Sequence, residues 1–241
     1  MYADHILANR PNAKIAILSL NDDYGREYVK GFKEGLGERA PSMIVGEQTY
    51  EAFDPTVDSQ ILLLKATGAD TFFGAVAGKQ ASQAYRKMYD ISWRPQVYIS
   101  VPGASPEGIL KPSGLQTAVG FITAYYGKSP EFRNTRDDPA MRAYFEWART
   151  WFPSGNAEDG IVTYGYQVGQ ALEYVLRKCG DNLTRENVMH VATHLDHVAL
   201  PMLYPGITAN TSPTDYFPLK QFQMFRFSGE EWVPFGPIIG Q

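Results

Sequence analysis

The stretch Lys14-Ile-Ala-Ile-Leu-Ser-Leu-Asn-Asp-Asp-Tyr-Gly25 decides how the chain folds. Residues 14–20 form a continuous apolar run of strand length, the pattern of a sheet buried on both faces. The loop 21–25 follows, and Tyr28, Phe32 and Leu36 then recur every four residues, marking the buried stripe of a helix. A buried strand, a short polar loop and an amphipathic helix make one βα unit.

The same unit repeats downstream. Met43-Ile-Val45 with Tyr50 reads as a second strand, and Asp54-Pro-Thr56 opens a helix with Ile61, Leu62 and Leu64 inward, ended by Gly68. The third strand is Thr71-Phe-Phe-Gly-Ala-Val76, with Ala81, Ala84, Tyr85 and Met88 on its helix. The fourth is Gln96-Val-Tyr-Ile-Ser-Val101, then a Pro/Gly-rich stretch and a short strand at 119–123. Four such units in series predict an α/β fold with a doubly wound, mainly parallel sheet.

Beyond residue 139 the pattern changes. Residues 139–151 form a helix with Met141, Tyr144, Phe145 and Ala148 on one side. Residues 161–178 form a longer one, with Val168, Leu172 and Val175 inward and Gly180 as its stop, and Thr184 caps a third. The chain closes on alternation around Ser228-Gly229, a hairpin by pattern. These divisions predict an α/β lobe over 1–122, a helical segment over 123–220 and a terminal hairpin over 221–241. The late helices have apolar faces but few local strands to cover them. Association, including a homodimer through exposed apolar helix faces, is therefore expected.

Composition narrows the function classes. The 241 residues are 44% hydrophobic and 13% aromatic, which excludes a disordered chain. The net charge of −4 is spread out, without the basic block that nucleic acid requires. The single Cys179 excludes an internal disulfide. The longest apolar runs, such as 61–64, are far below the ~20 residues of a spanning helix, and residues 1–10 lack a signal-peptide apolar region.

No phosphate loop, nucleophile elbow, zinc-protease motif or paired-cysteine motif occurs, so neither catalysis nor a cofactor is expected. His190 and His194 share a helix face with His197 nearby, a metal arrangement on paper; a solvated helix end is the simpler reading. Asp137-Asp138 reads as a pre-helix loop. In open parallel sheets ligands bind beyond the carboxyl ends of the strands. Three loops lie there. The first carries Asp22 and Tyr24. The second carries Ala77 and Gly78, whose N–H groups precede a helix and suit an anion. The third carries Ser100 and Val101.

At these residues a family resemblance becomes specific. The stretch 14–25 resembles the opening of the second lobe in leucine/isoleucine/valine-type periplasmic binding proteins, an apolar strand running into N-D-x-Y-G and a helix. Residues 54–70 and 74–80 resemble the next helix and ligand loop, and Gly165-Tyr-Gln-Val-Gly169 resembles a helix of the first lobe. The resemblance implies a type I periplasmic-binding-protein fold: a second lobe, a helical remainder of the first lobe, and a chain lacking the N-terminal part of that lobe. It implies a periplasmic, non-enzymatic, solute-binding component of an ABC uptake system that delivers its ligand to a membrane permease. A ligand-sensing regulatory module of the same fold is the alternative. Amino-acid binders of the family place an acid near the end of the fourth strand to pair with the ligand's ammonium. Ser100-Val-Pro-Gly-Ala-Ser105 has none, so a carboxylate without an ammonium is the expected ligand.

Overall fold

The computed structural model describes residues 1–240. The elements run α1 (Tyr2–Asn9), β1 (Ile15–Leu20), α2 (Asp23–Leu36), α3 (Ala40–Met43), β2 (Ile44–Tyr50), α4 (Asp58–Ala66), β3 (Thr71–Ala75), α5 (Gly78–Asp90), β4 (Gln96–Ile99), α6 (Lys111–Ser113), β5 (Ile122–Tyr125), α7 (Pro139–Trp151), α8 (Gly160–Cys179), α9 (Arg185–Ala192), β6 (Phe222–Phe227) and β7 (Trp232–Ile239). The strand order is β2-β1-β3-β4-β5-β6-β7. β1 pairs in parallel with β2 and β3, β3 with β4, and β4 with β5. The mainly parallel α/β fold expected from the sequence is the one observed.

The chain divides into two compact units: Met1–Ala124 with Phe225–Trp232, and Tyr125–Met224 with Val233–Gln241. In the first unit β1, β3, β4 and β5 are buried on both faces because helices cover both, whereas the edge strand β2 is only partly buried. Successive strand residues point to opposite sides. Phe73 stacks on Phe32 of α2 at 3.9 Å between ring centroids and meets Tyr2 of α1. Its neighbour Phe72 faces the other way and takes Trp93, beyond α5, edge-on. The Tyr2 hydroxyl donates to Ile99 O and accepts from Ala124 N, so α1 ties β4 to β5. Trp232, fully buried, donates its indole N–H to Ala104 O at 2.9 Å.

The second unit is built on helices with capped amino ends, of which the sequence marked Thr184. Asp138 accepts from Ala140 N, Asp159 from Ile161 N and Thr184 from Asn187 N. Gly180 ends α8 with φ of 57°, a conformation that favours glycine. Met141, Tyr144 and Met202 form one core with Trp147 and Tyr166 around them; Val198, Leu203, Ile207 and Ala209 form another.

Three expected inward residues are corrected. Leu62 on α4 is exposed while Ile61 and Leu64 are buried, because one face of a helix meets the sheet and Leu62 lies off it. Val168 and Leu172 of α8 are also exposed; only Val175 of that trio is buried. The second strand is longer than expected, the helix after it starts four residues later, at Asp58, and the fifth strand begins at Ile122.

Candidate functional site

The carboxyl ends of β1, β3 and β4 meet in the first unit, and local chemistry fixes each of them. Asp22 has extended backbone and its Oδ1 accepts from Gly25 N at 2.8 Å, the N-cap of α2. Gly25 is required for a second reason: a Cβ there would lie 1.8 Å from Leu20 O. The Asp-x-Tyr-Gly order thus turns a buried strand into a helix across only two residues, Asn21 and Asp22. It also places Tyr24 on the first helical turn, beside the sheet.

The Tyr24 hydroxyl donates to Ser100 Oγ at 2.5 Å. Ser100 is fully buried at the end of β4, and its Oγ lies 3.4 Å from Val76 O. One side-chain chain therefore links three strand ends. Burial, the larger cause, pushes the Tyr24 phenol well above its ordinary value against the lowering effect of the Ser100 bond; Tyr28, Tyr50 and Asp22 push it further. Tyr24 stays neutral, able to donate and to accept.

The structure brings Tyr24 and Ser100 into direct contact and sets Asp22 close enough to bear electrostatically on Tyr24 and on Tyr50. Val101 is half-buried and opens the short turn Val101–Gly103. Gly78 is exposed and starts α5 with φ of 67°. The expectation for Ala77 needs correcting. Its N–H donates to the Tyr50 hydroxyl at 2.8 Å, and that hydroxyl donates back to Ala77 O at 3.0 Å. The amide expected to face an anion is already bonded.

Sequence reading missed Tyr50, Tyr85 and Gln80. Tyr50 ends β2, which β1 separates from β3. Tyr85 is buried on α5 and its hydroxyl donates to Gly103 O at 3.0 Å, supporting the loop after β4. Gln80 Nε2 donates to Ala52 O and Asp54 O, pinning the loop after β2. The available signal was position: Tyr50 terminates a strand and Gln80 sits in the first turn of a helix.

Two surface cavities lie elsewhere. One of about 570 Å3 is lined by Arg136, Arg142, Phe145, Arg149 and Phe152, and one of about 500 Å3 by Arg10, Asp70, Trp93 and Arg94. Ion pairs to Glu158, Glu146 and Asp70 engage Arg136, Arg149 and Arg10. The strand-end cluster joins more elements through polar side chains and remains the candidate site. Among the described residues no group of three His, Cys, Asp or Glu side chains converges as a metal site. The His190 and His194 rings lie 4.2 Å apart, with His194 Nδ1 2.6 Å from His190 O, and His197 pairs with Asp196. No helix among the described residues is long and apolar enough to cross a membrane.

The fold is shared with solved solute receptors. A branched-chain amino acid ABC transporter structure from Thermus thermophilus with bound valine superposes with a TM-score of 0.79 at 14% identity, covering 100% of this chain and 64% of that one. A substrate-binding periplasmic protein from Ralstonia solanacearum gives 0.75 at 17%, covering 97% and 64%. A possible leucine/isoleucine/valine-binding protein from Rhodopirellula baltica SH 1 gives 0.74 at 14%, covering 98% and 62%. This chain thus spans less than two thirds of their length. No curated protein sequence matches it. The sequence profile of the periplasmic binding proteins matches residues 2–219, nearly the whole of both units. With that match, and with its parallel sheet and strand-end cluster, the chain belongs to the periplasmic binding protein family.

Proposed function

We propose that the chain is the solute-binding component of an ABC-type uptake system, working in the periplasm or outside the cell and passing its ligand to a membrane permease. The strand-end crevice forms one wall of the site, with Tyr24, Ser100, Asp22, Ala77, Gly78 and Val101 around the ligand. The observation that carries this reading is the Tyr24–Ser100 pair. Two neutral hydroxyls joined at the ends of two parallel strands can re-aim their protons onto a ligand without either group having to ionise. The raised phenol pKa leaves Tyr24 protonated, with no phenolate to serve as a base, which supports binding over catalysis.

The favoured ligand is a small organic carboxylate without an ammonium. The loop from Ser100 to Ser105 carries no acid to pair with an amino group, while both hydroxyls can donate to a carboxylate oxygen. Asp22 is the one carboxylate whose charge reaches this tyrosine cluster, and one of its oxygens caps α2.

Saturation-transfer NMR tests this, because it detects weak binding. Benzoate and short aliphatic acids should receive saturation from the protein, and Tyr24→Phe and Ser100→Ala should each abolish the effect. Transfer to valine or leucine that requires Asp22, with none to the carboxylates, would instead assign an amino-acid ligand.

A further inference from the structure

The phenols gathered at the strand ends have their protons committed, with one exception. Tyr24 donates to Ser100 Oγ, Tyr50 to Ala77 O, Tyr85 to Gly103 O and Tyr2 to Ile99 O. Tyr28 does not. Burial alone acts on its phenol, with no hydrogen-bond partner among the described residues. Nor is its oxygen one of the unpartnered polar atoms sealed from solvent. The Tyr28 hydroxyl is open. Packing does not call for it either: Gly25, Phe32 and Leu36 are the buried positions of α2, Tyr28 is half-buried, and a phenyl ring would fill the same room.

Its position is fixed from two sides. Tyr28 follows Tyr24 by one helical turn, so the two side chains are neighbours on α2. Their ring centroids are 5.0 Å apart, with the planes tilted by 55°. The Tyr28 phenol also bears electrostatically on the phenols of both Tyr24 and Tyr2. Those two are anchored at consecutive residues where β4 ends, Tyr24 at Ser100 and Tyr2 at Ile99. The open hydroxyl therefore belongs to the strand-end cluster. All of these residues lie in the first unit.

We propose that Tyr28 is the residue that takes the ligand's carboxylate, donating its O–H to a carboxylate oxygen while its ring and that of Tyr24 flank the hydrocarbon part of the ligand. This rests on the reading of the strand-end crevice as a carboxylate site. The reason for the choice is exchange. A ligand that takes the Tyr24 proton must first break the bond to Ser100, and its gain is only the difference between the two bonds. A ligand that takes the Tyr28 proton breaks nothing within the protein. Partial burial strengthens a hydrogen bond to a charged acceptor. The same burial raises the Tyr28 phenol from its ordinary value, so the proton to be donated is present at neutral pH.

NMR on the whole chain, with its tyrosines labelled at the ring carbon that bears the hydroxyl, tests the assignment with benzoate as the probe. The Tyr28 signal, identified by its absence from Tyr28→Phe, should shift saturably as benzoate is added. In Tyr28→Phe, benzoate affinity read from the Tyr24 signal should fall about tenfold or more, the effect of losing a hydrogen bond to a charged group. The urea midpoint of that variant should stay within ~0.1 M of the parent, because no bond inside the protein is lost. A larger fall would show that the hydroxyl is committed within the fold and would overturn the proposal. Undiminished benzoate affinity in Tyr28→Phe, or a Tyr28 signal that stays still while that of Tyr24 shifts, would overturn it and leave the crevice reading standing. No saturable shift of any tyrosine signal would overturn the carboxylate reading and this proposal together.

Discussion

Tyr50→Phe is the substitution that tests how the ends of the strands are held. The ring is fully buried and its place is kept, so packing changes little; only the hydroxyl is lost. That hydroxyl both accepts from Ala77 N at 2.8 Å and donates to Ala77 O at 3.0 Å. Removing it orphans a donor and an acceptor on one residue. A buried orphaned group costs about 1–3 kcal/mol. Ala77 is half-buried, so water replaces part of the loss, and the net cost should be about 1.5 kcal/mol. With a urea slope of about 2 kcal/mol/M, the midpoint should fall by roughly 0.7 M. Hydrogen exchange gives the specific readout. The Ala77 amide should exchange about tenfold faster, since 1.4 kcal/mol is a factor of ten and the opening is local. A midpoint within ~0.1 M of the parent together with unchanged Ala77 exchange would refute the claim that Tyr50 holds this loop.

Three further perturbations follow from the same structure. Gly25→Ala drives a Cβ to 1.8 Å from Leu20 O and should cost more than ~3 kcal/mol, read as loss of the cooperative near-ultraviolet transition; a G25A variant that stays stable and soluble would contradict the geometry. Asp138→Ala removes both the α7 cap and the partner of the nearly buried Lys128, whose Nζ lies 2.9 Å from Asp138 Oδ1, and should cost about 2–4 kcal/mol; Asp138→Asn, which keeps the cap, should cost less by urea denaturation. The His5 pKa is held below its ordinary value by burial first and by the Arg226 charge second. The unfolded chain therefore binds that proton more readily. Stability should be constant above pH ~6.5 and fall as pH drops from there towards the folded value; His5→Gln should flatten that part of the urea-midpoint profile, and an unchanged slope would remove His5 as its source.

The legible parts of the fold were those governed by neighbours in sequence. The run 14–20, the four-residue spacing through Leu36 and the cap at Thr184 act over one or two turns, so their pattern survives in a single sequence. The three candidate loops were also legible as strand-end loops, because a parallel sheet brings the carboxyl ends of its strands to one edge. The illegible parts were those set by distant partners. Tyr50 grips Ala77 from 27 residues away and Tyr24 meets Ser100 from 76 residues away. Nothing local distinguishes such a tyrosine from one that merely fills a core.

Leu62, Val168 and Leu172 make the same point from the other side. Periodicity says that a helix has an apolar face; it does not say that anything in the same chain reaches that face.

The Tyr24 loop marks the division. By itself the sequence placed Asp22 and Tyr24 in the loop between a buried strand and an amphipathic helix, because the two periodicities that frame that loop act between near neighbours. Only the tertiary structure decided that Tyr24 donates to Ser100 and that the Ala77 amide is already committed, because those bonds depend on strand order, which is fixed by burying apolar surface across the whole sheet.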